Sequence, residues 1–262
     1  MNFYSKSIEK LVNLEQELFT GVVTIIAPNN IQWSIYFYQG MLIWSEGGFH
    51  VYRFWQRHLN KICPQADIQL FEKEKVISNT TTDYYFINTL LKQKLASRKQ
   101  INYLIEQKIG ETFFDIFQQE SKNNLDIVAK PQSAYNLLKK DFNLTLKHLE
   151  TSKILSKSYS EWSTWVSKGL NSCSPNLSPL LKKETKIDRQ VSFLIFQNMK
   201  RMLDGKKTLR DLALQMDKNV FEITCALIPY FFQGYIRLIE VPDLPEVSFS
   251  VVENSFFAEH KK

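Results

Sequence analysis

Apolar residues recur at three-to-four spacing through Ser5–Phe19, with Ile8, Leu11, Val12, Leu14 and Leu18 on one face, which predicts an amphipathic helix stopped by Thr20-Gly21. The pattern then changes to β-branched and aromatic runs. Val22–Ala27, Gln32–Tyr38 and Met41–Ser45 read as three strands, joined by Pro28-Asn29-Asn30 and by Gln39-Gly40. Connections this short predict an antiparallel meander. On its second strand Trp33, Ile35 and Phe37 alternate with Tyr36 and Tyr38, so the odd-numbered set points to one face. Gly47-Gly48 provides a turn requiring positive φ, and a helix over Phe49–Cys63 follows, ended by Pro64.

Further helices are expected over Tyr84–Leu95, capped by Thr82 or Asp83, and over Arg98–Lys108, capped by Ser97. Glu111–Glu120 fits helix or strand, and Leu125–Ala129 a short strand closed by Pro131. Gln132–Lys168 reads as one long basic amphipathic helix or two in tandem, and Asn171–Leu181 as a loop. Helices over Ile187–Leu203, Leu209–Met216 (capped by Thr208) and Lys218–Gln233 precede a strand over Tyr235–Val241. This is the element order of a winged-helix or helix-turn-helix unit. The expected fold class is α+β: a small antiparallel sheet with helices, then a helical region ending in a winged-helix-like unit. The expected divisions are 1–131 (sheet and helices), 132–186 (basic helical connector), 187–245 (winged-helix-like) and 246–262 (tail).

Composition narrows the function classes. A hydrophobic share of 44% with 23% charged residues is that of a globular chain, which excludes whole-chain disorder. No apolar run approaches the roughly 18 residues of a membrane helix, and the N-terminus lacks a signal-peptide core, so a cytoplasmic protein is expected. Cys63, Cys173 and Cys225 are odd in number and far apart, which argues against a disulfide framework or a zinc site and for buried thiols. The net charge of +6 lies in Lys122–Arg189, where 12 basic residues meet 6 acidic ones. That region suits an acidic protein surface, nucleic acid or anionic lipid, or is simply a solvated basic surface.

Motifs for catalysis are lacking: the sequence has no GxSxG, HExxH, P-loop or GxGxxG. Glu72 and Glu74 alternate with Lys73 and Lys75 and read as solvated surface. A non-enzyme is expected, with no cofactor and no metal. The polar cluster of interest is His50, Arg53, Arg57 and His58, at helical spacing around Phe54 and Trp55. A metal site would need further ligands. Arg and Trp are frequent interface anchors, so His50, Arg53, Trp55 and Arg57 are the candidate partner-binding residues. On this reading Arg53 and Arg57, one turn apart, meet a carboxylate-rich partner, while Trp55 and Leu59 hold the helix on the sheet. The competing reading pairs the two arginines with the chain's own acids, such as Glu46.

Several of these residues also carry a family resemblance. Phe19-Thr20-Gly21, the run Trp33–Trp44, Gly47-Gly48-Phe49-His50, Arg53-Phe54-Trp55 and Cys63-Pro64 resemble the PATAN domain, the N-terminal domain of cyanobacterial PatA-type response regulators. Leu203–Ala213 and Gly234–Pro242 are similar to that family's later part, so the resemblance spans roughly Leu11–Pro245. It implies a signalling adaptor in light-dependent phototaxis or type IV pilus control. The implied partners are a photoreceptor or other upstream signalling protein and a pilus-motor component, and self-association is compatible with it. The family usually adds a phosphoacceptor receiver domain. Only a short tail follows Pro245 here, and aspartate phosphorylation is not expected.

DNA binding is the alternative from another class, invited by the winged-helix order and the basic charge. The second helix of the pair argues against it. Val220, Phe221, Ile223, Leu227, Ile228, Phe231 and Phe232 leave only Lys218, Asn219 and Gln233, at its ends, to reach base edges. Lys206, Lys207 and Arg210 remain as candidate phosphate contacts.

Overall fold

The computed structural model describes residues 5–28, 30–64, 83–139, 142–146, 148–182 and 192–244. The expected tail 246–262, a cap at Thr82, the Glu72/Glu74 segment and the start of the helix at Ile187 lie outside the described residues. Helix α1 (Lys6–Gln16) begins at Ser5, whose hydroxyl accepts the Ile8 N–H, and buries Ile8, Leu11 and Leu14. Strands β1 (Gly21–Ile26), β2 (Gln32–Tyr38) and β3 (Met41–Gly47) form the meander. Gln39 and Gly40 both take positive φ, the two-residue turn that matches strand twist. β4 (Asp126–Pro131) adds antiparallel to β1 along its whole length, so the sheet order is β3-β2-β1-β4. The expected α+β class is the one observed.

The sheet is covered on both faces, so Tyr36 is buried as well as the odd-numbered set Trp33, Ile35 and Phe37. Ile35 stands opposite Ser45, whose hydroxyl lies 2.9 Å from that of Thr112 on α4 (Arg98–Glu120). On the other face Tyr36 stands opposite Trp44. There Phe142 approaches the Tyr36 ring to 4.6 Å, while Tyr84 and Trp55 lie 5.5 and 6.0 Å from Trp44. Both Phe37 and Tyr36 are therefore core residues.

α4 runs unbroken where a helix to Lys108 and a second, ambiguous segment were expected. Ser97 and Gln100 close a capping box at its start. A Cβ at Gly110 would meet nothing within 4 Å, so this glycine marks no turn. It costs the helix only about 1 kcal/mol, which the buried Phe113, Ile116 and Phe117 outweigh.

Of the two readings of Gln132–Lys168, one long helix or two in tandem, the structure has two, α5 (Ala134–Lys139) and α6 (Thr151–Ser167), and the described residues between them are not helical. Leu149 exchanges two backbone hydrogen bonds of 2.9 Å with Leu42 on the β3 edge, and the Thr151 hydroxyl donates to the Gly40 carbonyl. Those bonds need extended backbone at 149, which the apolar spacing did not reveal.

α2 (Val51–Ile62) and α3 (Tyr85–Lys92) lie beside the sheet. β5 (Ser178–Leu181), expected as loop, pairs antiparallel with β6 (Ile236–Ile239). Between them stand α7 (Phe193–Met202), α8 (Leu209–Gln215) and α9 (Val220–Phe232). The helix order is the expected one, but β6 finds its partner in β5, before the helices. Cys63 and Cys173 are buried free thiols and Cys225 is half-buried.

Candidate functional site

The turn into α2 explains the glycine pair. Gly47 and Gly48 have φ of 76° and 90°, and a Cβ on Gly48 would stand 2.7 Å from the Trp33 indole nitrogen. The chain therefore passes flat against Trp33 and delivers α2 close to the sheet. Asp243, from the C-terminal segment, caps the helix: its two carboxylate oxygens accept the Tyr52 and Arg53 N–H groups at 2.9 and 3.0 Å.

Arg53 and Arg57 do share one face of α2, and that face turns inward. Arg53 donates to Asp211 on α8 at 3.0 Å, and to the carbonyls of Lys206 and Pro242. Arg57 reaches Asp211 at 3.4 Å, pairs with Glu111 on α4 and lies over the Phe54 ring. Arg210 on α8 binds Asp115 at 3.0 Å and the Asn176 amide oxygen at 2.8 Å, with Phe114 under its guanidinium. Three guanidiniums thus meet three carboxylates at the junction of α2, α4 and α8. Of the two readings of Arg53 and Arg57, the geometry is that of pairing within the chain, with Asp211 and Glu111 standing where Glu46 was suggested.

The other two candidate residues are placed as follows. His50 sits at the start of α2, half-buried, with Nε2 2.9 Å from the Val241 carbonyl. Trp55 is fully buried and donates its indole N–H to Asp83, beside Trp44. Arg210, a candidate phosphate contact, is buried with its N–H groups engaged.

The electrostatics follow from burial and pairing. Burial pushes the Glu111 carboxyl up, but Arg57 and Arg210 outweigh it and hold it well below the usual carboxylate range. Burial lowers the His58 pKa against the pull of Glu111, which lies 3.2 Å from its Nε2. A cleft of about 420 Å³ opens over this cluster between α2, α4, α6 and the start of α9. Arg57, Glu111 and Arg210 lie on its wall, and the ion pairs leave these groups committed to one another.

Sequence reasoning missed Glu111, Asp115, Asn176, Asp211 and Asp243. One signal existed for two of them. Glu111 and Asp115 are one helical turn apart, the first just before and the second inside the run Phe113, Phe114, Ile116, Phe117, where a solvated charge is out of place.

A second, half-buried carboxyl pair, Glu46 and Asp83, lies beside Trp55 of α2. Glu46 accepts the Tyr36 hydroxyl at 2.7 Å and the Asp83 N–H at 2.8 Å. Asp83 accepts the indole N–H groups of Trp44 and Trp55 at 2.6 and 3.1 Å. Burial, then the Asp83 carboxylate, raises the Glu46 pKa to about 8, against 4.5 for a free side chain. The folded state therefore holds a proton that the unfolded chain releases above pH 4.5. Its stabilisation is complete below that pH and is lost as pH rises towards 8. Melting temperature is expected to fall over this interval, by the equivalent of about 2 kcal/mol after allowance for solvent screening. Glu46→Gln should flatten that slope, and an unchanged slope would remove the pair from the explanation.

Comparison of the chain with protein-family models, with curated proteins and with solved structures gives no match. Among the described residues no helix is long and apolar enough to cross a membrane.

Proposed function

We propose that this chain is a non-enzymatic signalling adaptor of the PATAN type. On that reading it acts in the cytoplasm by protein–protein contact, within light-dependent phototaxis or type IV pilus control. A photoreceptor or similar protein stands upstream of it and a pilus-motor component downstream. The identities rest on the residue resemblance, and one observation supports the mode of action. Helix α9 is strongly apolar, yet only its Ile223 and Thr224 are fully buried. Leu227, Ile228 and Tyr230 stay half-buried, while Phe231 and Phe232 are 39% and 78% exposed. An apolar helical face left open suits insertion into a groove of a partner protein.

The same helix weakens the DNA-binding alternative. A recognition helix needs polar side chains along its exposed face. Here Glu222, in the first turn, would repel phosphate, and Asn219 is committed to capping through the Phe221 N–H.

The test is capture of a purified pilus-motor component by the full chain and by a Phe231→Ser, Phe232→Ser variant. Both positions are exposed, so melting should be unchanged while capture falls roughly tenfold or more. Tight binding to a defined operator at physiological salt, weakened by Lys218→Ala, would replace the adaptor reading with the DNA-binding one.

A further inference from the structure

Helix α7 has the opposite of the usual surface-helix pattern. Phe193, Leu194 and Ile195 are 77%, 71% and 50% exposed, Phe196 is half-buried, and no residue of the helix is fully buried. Successive helical residues are about 100° apart, so these four cover most of the circumference of the first turn. A groove on another protein receives a stripe at i, i+3, i+4 and i+7. An apolar end, covered on nearly every side, is satisfied by entering an apolar medium.

The rest of the helix matches such a medium. Met199 and Met202 pack on the core and tie the C-terminal half of α7 to the body of the protein. Ser192 caps the first turn by accepting the Ile195 N–H, which reduces the cost of taking that end out of water. Lys200 and Arg201 are exposed at the C-terminal end, and α7 contains no acidic residue. They stand about 10 Å along the axis from Phe193 and Leu194. An interfacial helix sinks its apolar part about 5–10 Å below the headgroups, which leaves these two cations at phosphate level.

We propose that the first turn of α7 inserts into the interfacial layer of an anionic lipid bilayer, with Lys200 and Arg201 on the lipid phosphates. A second copy of the chain fits less well, because each α7 carries cations only and two copies would bring like charges together. This peripheral membrane contact goes beyond the adaptor reading and uses a different helix from α9.

The experiment is flotation of the full chain with phosphatidylcholine vesicles, with and without phosphatidylglycerol. Flotation is expected only with the anionic vesicles and should weaken as salt is raised. Phe193→Ser with Leu194→Ser should keep the melting temperature and lose roughly tenfold or more of the binding. Lys200→Glu with Arg201→Glu should lose a similar amount, and with it most of the salt dependence. Phe231→Ser with Phe232→Ser should float like the unsubstituted chain, which separates this contact from the adaptor surface. Absence of flotation with anionic vesicles would overturn the proposal. So would undiminished flotation of the Phe193, Leu194 variant, which would mean adsorption through basic residues elsewhere. Self-association lost in that variant, without vesicle binding, would identify α7 as a dimer contact instead.

Discussion

Arg210→Ala is expected to destabilise the protein by about 3–5 kcal/mol, the range for removing one partner of a buried ion pair. Asp115 is buried, and its two resolved side-chain partners are Arg210 and the Asn176 amide. Without the guanidinium its buried side chain is left with one neutral donor, the Asn176 amide. Glu111 is less exposed to the loss, because Arg57 and His58 still hold it. Arg210→Lys should recover little, since one ammonium cannot reach Asp115 and Asn176 in the same fork geometry. Removing both charges, Arg210→Met with Asp115→Leu, should cost much less than the single substitution. Urea denaturation of the three variants checks this, and equal costs for the single and double changes would mean that the pair is not the cause. The cluster also sets the acid limit. Because Glu111 is held low in the folded state, its stabilisation is present above about pH 4.5 and is lost as pH falls below that.

Phe37→Ala is expected to cost a similar 3–5 kcal/mol, the range for truncating a buried aromatic ring. Phe37 is fully buried, meets Phe19 edge-on at 5.8 Å, and lies in register with Gly21 on one side and Leu42 on the other. Gly21 offers no side chain to fill the vacated space. Tyr36, its neighbour on the opposite face, should be nearly as costly to truncate, because Trp44, Tyr84 and Phe142 enclose that face too. A Tyr36→Ala variant that melts like a surface substitution would mean that the second layer contributes little packing.

The extent to which the fold was legible follows from the range of the forces involved. The meander, its Gln39-Gly40 turn, the Gly47-Gly48 entry into α2 and the caps at Ser97 and Thr208 were all readable, because each is a contact between near neighbours in sequence. β5 was read as loop because a four-residue strand beginning Ser-Pro has no signal of its own, and its partner lies more than 50 residues away in β6. Two helices in tandem were one reading of Gln132–Lys168, but the extended stretch between α5 and α6 was hidden for the same reason, since Leu149 is held by Leu42.

The candidate site divides along the same line. Helical spacing alone put Arg53 and Arg57 on one face of α2 and Trp55 on another. Whether that face looked outward or inward depended on what arrived opposite it. Glu111 comes from 54 residues further along the chain and Asp211 from 154. The sequence by itself determined the local elements, their caps and the alternation of side chains, because those depend on residues a few positions apart. Only the tertiary structure decided that both sheet faces are covered, that the arginines are consumed by α4 and α8, and that α7 and α9 keep apolar residues exposed. Burial and ion pairing depend on which distant segments meet, and no periodicity within one segment records that.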